Sequence, residues 1–349
     1  MKPVTARTSF IAVMLALLAA PAAAVSVEEY PELDGIIETL VKRHHFDRVK
    51  LQKMFAAATL RPEIVAAIER PREALPWYEY RRSFLNEERV RLGARYWEEH
   101  RDTLARAERR YGVPPELIVA IIGVETRYGA NRGEHSALDA LLTLSLAYPR
   151  RADFFRQELT EFLLLARELK ADPRTIKSSY AGALGIPQFM PHSYRQYAVD
   201  FDNDRKRDLL GNPADAIGSV ANFLHAHGWT PGEPVIDETE IKGALYTWPK
   251  QLGTEPVLRL REWLGYGIFP RREMTPPPND GDNERPAALI ALDGDAGPLY
   301  YLGYNNFYVI TRYNRSKNYA MAVYELARMI RLRYQERHDI SVTATTPPS

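Results

Sequence analysis

The apolar run Leu117-Ile118-Val119-Ala120-Ile121-Ile122 leads directly into Val124-Glu125-Thr126-Arg127-Tyr128-Gly129. A carboxylate carried on so apolar a helix loses hydration, which disfavours its charged form and raises its pKa toward the range of a general acid. Glu125 is therefore a candidate acid, although the spacing alone favours a helix-end glutamate paired with Arg127 or another cation. A second segment, Ser178-Ser179-Tyr180-Ala181-Gly182-Ala183-Leu184-Gly185-Ile186-Pro187-Gln188-Phe189-Met190-Pro191, combines small residues with an amide and flat rings. Small residues let backbone approach a ligand, and Gln188, Tyr180 and Phe189 suit a sugar; a plain turn between helices has the same composition. A third, Ile310-Thr311-Arg312-Tyr313-Asn314-Arg315-Ser316-Lys317-Asn318-Tyr319-Ala320, could line a cleft with hydroxyls and amides or serve only as a helix cap through Asn314 or Ser316.

Taken together and in this order, the three segments resemble the motifs of the B-type lytic murein transglycosylases, the membrane-bound lytic transglycosylase B family of bacterial cell-wall enzymes. The resemblance spans about Glu28 to Arg333. It implies a lysozyme-like helical catalytic domain, with Glu125 as sole acid/base, Ser179 and Gln188 binding glycan, and Tyr313 and Tyr319 from the third motif. The arginine pair after Tyr148-Pro149 carries over as Arg150 and Arg151. The implied reaction protonates the oxygen between N-acetylmuramic acid and N-acetylglucosamine with assistance from the muramyl N-acetyl group. Glu125 then accepts the C6 hydroxyl proton as a 1,6-anhydro ring closes without water. Substrate assistance is a known exception to the two-carboxylate rule of glycosidases. Glu134 and Asp139 lie near Glu125 in sequence and read as helix-surface residues. A water-using muramidase on the same scaffold and a non-catalytic wall-binding protein are the alternatives.

Asp200, Asp202 and Asp204 occupy the first, third and fifth positions of an EF-hand-like loop, with the Lys206 carbonyl at the seventh. Arg205 replaces the usual sixth-position glycine and Gly211 stands at the twelfth, where a glutamate belongs. The family resemblance points to Asp215 as the last ligand, and the expectation is a structural calcium; a solvated charged turn without an ion also fits. No cofactor is expected for the chemistry. His44-His45 and His225-Ala226-His227 lack a third nearby ligand, and such spacings point to different helix faces.

These residues need a scaffold, and the chain has 45% hydrophobic residues, ordinary for a globular protein. Absence of cysteine excludes disulfides, thiolate metal sites and a cysteine nucleophile. Its 46 Lys+Arg against 45 Asp+Glu exclude nucleic-acid binding by bulk charge. Residues 1–24 read as a signal peptide: Lys2 and Arg7, an apolar run from Phe10 to Ala20, then Ala22-Ala23-Ala24. Without a lipid-anchor cysteine, the expected product is exported, periplasmic and not stably held at a membrane, with peptidoglycan glycan strands as its partner.

Helical spacing of Ile36, Ile37, Leu40 and Val41, and of Phe155, Leu159, Phe162, Leu163 and Ala166, predicts a mainly α fold with a small β insertion. Pro114-Pro115 predicts a helix start, and Asn212-Pro213 another that stops at Gly228. Ala288 to Leu292 and Leu299 to Leu302 predict two strands joined by a turn, and Asn306 to Thr311 a third. The expected organisation is a helical region 25–100, a catalytic core 101–230, a loop-rich and β region 231–305 containing Thr275 to Gly281, a closing strand and helix 306–337, and a disordered tail 338–349.

Overall fold

A computed structural model describes residues 25–247, 252–271 and 283–344. The signal segment, the proline-rich stretch Thr275 to Gly281 and residues 345–349 lie outside the described residues. The chain divides into two compact units, one ending at Thr59 and one beginning at Leu60. In the first, helices α1 (Glu32–His44) and α2 (Arg48–Ala56) bury Leu33, Ile36, Ile37, Leu40, Leu51 and Phe55. Asp47 caps α2 by accepting the Lys50 amide at 2.9 Å.

The larger unit begins with α3 (Pro62–Ile68) and α4 (Trp77–Tyr80). It continues through α5 (Glu87–Glu99), α6 (Arg101–Tyr111), α7 (Pro115–Thr126), α8 (Ala137–Ala147) and α9 (Ala152–Glu168). Then follow α10 (Pro191–Tyr197), α11 (Pro213–Ala226) and α12 (Leu260–Gly265). So α3 to α5, placed by sequence texture in the region 25–100, belong to the same compact unit as α6 to α12. Helix α7 starts at Pro115, as the double proline predicts, and its residues Leu117 to Gly123 are buried on every side. An all-apolar helix must be enclosed, and α5, α6, α11 and the closing helix Lys317–Ala344 pack around this one. Asn212 caps α11 through the amides of Ala214 and Asp215.

The β insertion is a five-stranded antiparallel sheet. β3 (Ile236–Ile241), β4 (Leu258–Arg259), β5 (Ile268–Pro270), β6 (Pro286–Gly294) and β7 (Gly297–Gly303) lie in the order β4-β6-β7-β3-β5. The predicted hairpin is β6 and β7, with Ile290 opposite Tyr301 and Gly294 opposite Gly297. Trp263, Leu289, Leu302 and Tyr304 form its core. A small two-stranded sheet joins β1 (His135–Ser136) to β2 (Lys177–Ser178).

Asn306 to Thr311 is not a strand but part of a helix, Asn305–Tyr313. Tertiary contacts override its strand-like composition. Asn306 is fully buried, accepting the Thr230 amide at 2.9 Å and donating to the carbonyls of Thr230 and Glu233 at 2.8 and 2.9 Å. Phe307 and Ile310, one turn apart, face the core. The closing helix extends to Ala344, into the stretch expected as a tail. Among the described residues no helix is long and apolar enough to cross a membrane.

Gly123 on α7 allows one close approach that positions its carboxyl end. A methyl group there would lie 2.7 Å from the Tyr128 ring, whose hydroxyl donates to the Arg89 carbonyl at 2.7 Å. Gly123→Ala is expected to lower stability by about 1–3 kcal/mol, the usual cost of overpacking. Urea unfolding checks this, and an unchanged midpoint would show that the ring is not tightly seated.

Candidate active site

Helix α7 carries Glu125 at its last turn, where the chain leaves the helix through Arg127 and Tyr128, both left-handed at φ 51° and 63°. This turn is tied down from several sides. The Thr126 hydroxyl accepts the Gly129 amide at 3.0 Å and donates to the Ile186 carbonyl at 2.8 Å. Glu125 keeps only a partial opening to solvent. Burial pushes its carboxyl from 4.5 up to about 7, against a hydrogen bond from Tyr319 that favours the charged form.

That hydrogen bond runs from the Tyr319 hydroxyl to Glu125 Oε1 at 2.7 Å. Tyr319 sits in the first turns of the closing helix and is 2% exposed. Tyr313 stacks on it with centroids 6.3 Å apart and planes at 11°. Both phenols are held far above their ordinary pKa by burial, with the Glu125 charge adding to it. Each therefore remains a neutral hydrogen-bond donor. The Tyr313 hydroxyl donates to the Pro187 carbonyl at 2.5 Å and so joins the third motif to the second.

Within the second motif, the Ile186 amide donates to the Leu209 carbonyl at 2.9 Å, and a methyl on Gly185 would lie 2.1 Å from that carbonyl oxygen. Ser179 is half-buried and accepts the Ala183 amide at 3.1 Å, while Tyr180 is exposed at the rim. Gln188 adopts φ 53° and spends its amide nitrogen on the carbonyls of Gly185 and Arg132 at 2.8 and 3.2 Å. Phe189, expected to offer a face to sugar, corrects that expectation. It is 2% exposed and packs against Tyr313 and Phe223, so it supports Tyr313 and offers no face to a ligand.

Arg150 and Arg151 are exposed on the turn between α8 and α9, with the Arg151 guanidinium 4.2 Å from the Phe154 ring centroid. Among the described residues neither makes a hydrogen bond or ion pair to Glu125. Asp139 lies on α8 and pairs with Arg61 at 3.4 Å, whereas Glu134 is exposed in the loop before β1, not on a helix. The carboxylate whose charge reaches Glu125 is neither of these but Glu73, more than fifty residues upstream. Asn314, expected at the glycan, donates from Nδ2 to Glu73 Oε1 at 3.0 Å. No local pattern announces Glu73; only the folded chain brings it here.

The aspartate loop gathers as its spacing predicts. Carboxylate oxygens of Asp200, Asp202 and Asp204 lie within 4.8 Å of one another, a donor set that fits a hard divalent cation. Arg205 takes φ 71°, the conformation for which an EF-hand uses glycine. Asp215 stands apart from this group. It is fully buried, and its two oxygens accept the amides of Phe201 and Asp208, each at 2.7 Å.

The transglycosylase SLT domain family model matches residues 28–328 of this chain. Membrane-bound lytic murein transglycosylase B of Escherichia coli (strain K12) is 40% identical over 312 residues, covering 86% of this chain and 83% of its own length. The Escherichia coli lytic transglycosylase Slt35, solved in complex with calcium, superimposes with a TM-score of 0.79 at 39% identity, covering 90% of this chain and 98% of that one. SltB3 from Pseudomonas aeruginosa, solved with NAG-anhNAM-pentapeptide, gives a TM-score of 0.72 at 32% identity, covering 86% of this chain and 78% of its own. Matched over most of its length in sequence and in fold, this chain belongs to the B-type lytic transglycosylases.

Proposed function

We propose that this enzyme cleaves the β-1,4 bond between N-acetylmuramic acid and N-acetylglucosamine in peptidoglycan without water, leaving 1,6-anhydro ends, with Glu125 as single acid and base. The observation that carries this reading is the Glu125 carboxyl, raised by burial to about 7 and oriented by the Tyr319 hydroxyl. A group poised near the working pH can both give and take a proton. Glu125 protonates the glycosidic oxygen as the C1–O bond breaks and the muramyl N-acetyl oxygen covers C1. The C6 hydroxyl then attacks C1, its proton returns to Glu125, and no water is consumed. The anhydro sugar bound by SltB3 supports this outcome. Ser179, Tyr180 and Gln188 supply glycan contacts beside the acid, Arg150 and Arg151 supply charge further along the strand, and Asn314 holds the wall of the site. The chemistry needs no cofactor.

We propose in addition that Asp200, Asp202, Asp204 and the Lys206 carbonyl hold a structural calcium, supported by the clustered carboxylates and by calcium in Slt35. Asp215 frames that loop through its two amide contacts. The basic start and apolar run of residues 1–24 support export to the periplasm, where peptidoglycan lies.

Mass spectrometry of fragments released from purified sacculi tests the reaction: products one water lighter than a hydrolase releases are expected. Reducing muramic acid would mean a muramidase instead. Glu125→Gln is expected to abolish release while leaving sacculus binding intact, and retained cleavage would remove Glu125 as the acid.

The same variant has a consequence for stability. Because the folded pKa of about 7 exceeds the ordinary 4.5, the folded state binds the extra proton between these values, so Glu125 destabilises the fold increasingly as pH rises through that window. Glu125→Gln is therefore expected to be more stable than the wild type at pH 8, on the order of 1–3 kcal/mol, and equal to it near pH 4. Thermal unfolding at the two pH values checks the sign.

For the metal loop, calorimetry is expected to show calcium binding at millimolar concentrations or below, lost in Asp202→Asn with Asp204→Asn. Absence of binding to the wild type would eliminate the site.

A further inference from the structure

The segment that supplies the two active-site tyrosines also carries two asparagines, and both reach one turn of the chain. Asn314 donates from Nδ2 to Glu73 Oε1 at 3.0 Å. Asn318, 6% exposed, donates from Nδ2 to the Leu75 carbonyl at 2.9 Å and lies 3.5 Å from that of Glu73. Glu73 belongs to the single 3-10 turn Arg72–Ala74, bracketed by Pro71 and Pro76. Proline on either side restricts the backbone of this turn, and the asparagines clamp it to the start of the closing helix. One short segment therefore holds two carboxylates: Glu125 by the Tyr319 hydroxyl and Glu73 by the Asn314 amide.

We propose that Glu73 is a positioning residue of this active site, whose negative charge adds to burial in holding the proton on Glu125 until the glycosidic oxygen receives it. The proposal rests on the reading of Glu125 as the acid. Burial is the largest influence on Glu125, on Tyr80 of α4 and on Tyr180 in the glycine-rich loop, raising each, and the Glu73 charge adds to the rise at all three. The groups facing this pair are few. Arg72, beside Glu73 in the turn, opposes its effect at Tyr80 and Tyr180. From the closing segment Tyr319 favours the charged form of Glu125, and Tyr313 is a buried neutral phenol behind it. Glu125 thus sits between one neighbour that stabilises its anion and another that destabilises it, as suits a group that must lose a proton in one step and regain it in the next.

The test is the pH dependence of kcat/KM on solubilised glycan strands for wild type, Glu73→Gln, Glu73→Asp and Tyr319→Phe. Glutamine keeps an oxygen for Asn314 and removes only the charge. In Glu73→Gln the alkaline limb is expected to move to lower pH, with a several-fold loss at pH 7.5 and near-wild-type rate at pH 5. Glu73→Asp is expected to return the limb toward wild type. Tyr319→Phe is expected to move it the other way, at reduced kcat. A Glu73→Gln profile that superimposes on wild type, or one depressed equally at every pH, would overturn the proposal and leave Glu73 a structural strap. Activity surviving in Glu125→Gln would instead overturn the reading of the acid, so the two failures are distinguishable.

Discussion

The structure depends on enclosing a helix whose middle, Leu117 to Gly123, is entirely apolar and whose last turn carries a carboxyl. Helix α7 cannot be exposed along any face, so α5, α6, α11 and the closing helix surround it, and Glu125 is carried into the same low-dielectric environment. A charged carboxylate loses several kcal/mol of hydration there unless it is paired, and the cheaper response is to hold its proton. The Tyr319 hydroxyl offsets only part of the loss, because burial remains the largest influence on Glu125. A carboxyl that holds its proton near neutral pH therefore follows from the packing of α7.

Such a carboxyl is useful only if its position is fixed, and most of the motif around it does that work. Thr126 ties the helix end to Ile186, and Tyr128 fills the space left by Gly123 and Gly93. Tyr313 locks the closing segment to Pro187, with Phe189 behind it. Of the residues in these motifs, Glu125, Ser179, Tyr180 and Gln188 are open enough to meet a glycan, while Thr126, Phe189 and Tyr319 are enclosed. A motif of this length thus records the geometry of a junction as much as a set of ligand contacts.

The readable parts of the sequence were those with local causes. Pro115 and Asn212 mark the starts of α7 and α11, and the Asp293 to Gly297 turn marks a hairpin, because a proline ring, a capping amide and a glycine act within a few residues. The helix at Asn305–Tyr313 was not readable from composition: its stability comes from Asn306 bonding to a loop more than seventy residues earlier. Phe189 was misplaced for a similar reason, since an aromatic beside glycines looks the same whether it faces ligand or core. The apolar run states the buried environment of Glu125 locally, whereas its role as an acid was implied only by the resemblance of the three motifs together. Glu73 was not legible, because a glutamate between prolines states nothing about where its turn will dock.

The aspartate loop connects to the end of α7 by a chain of hydrogen bonds. Asp215 fixes the amides of Phe201 and Asp208, and the Tyr194 hydroxyl accepts the Leu209 amide while donating to the Arg207 carbonyl. Leu209 in turn accepts the Ile186 amide, and Ile186 accepts Thr126, the residue after Glu125. Every link is backbone or a buried side chain. Asp200, Asp202 and Asp204 repel one another at their observed separation, and a cation among them would remove that repulsion at the far end of the chain. The protonation of Glu125 itself stays with the burial of α7 and the Tyr319 hydroxyl, which are the two largest influences on it.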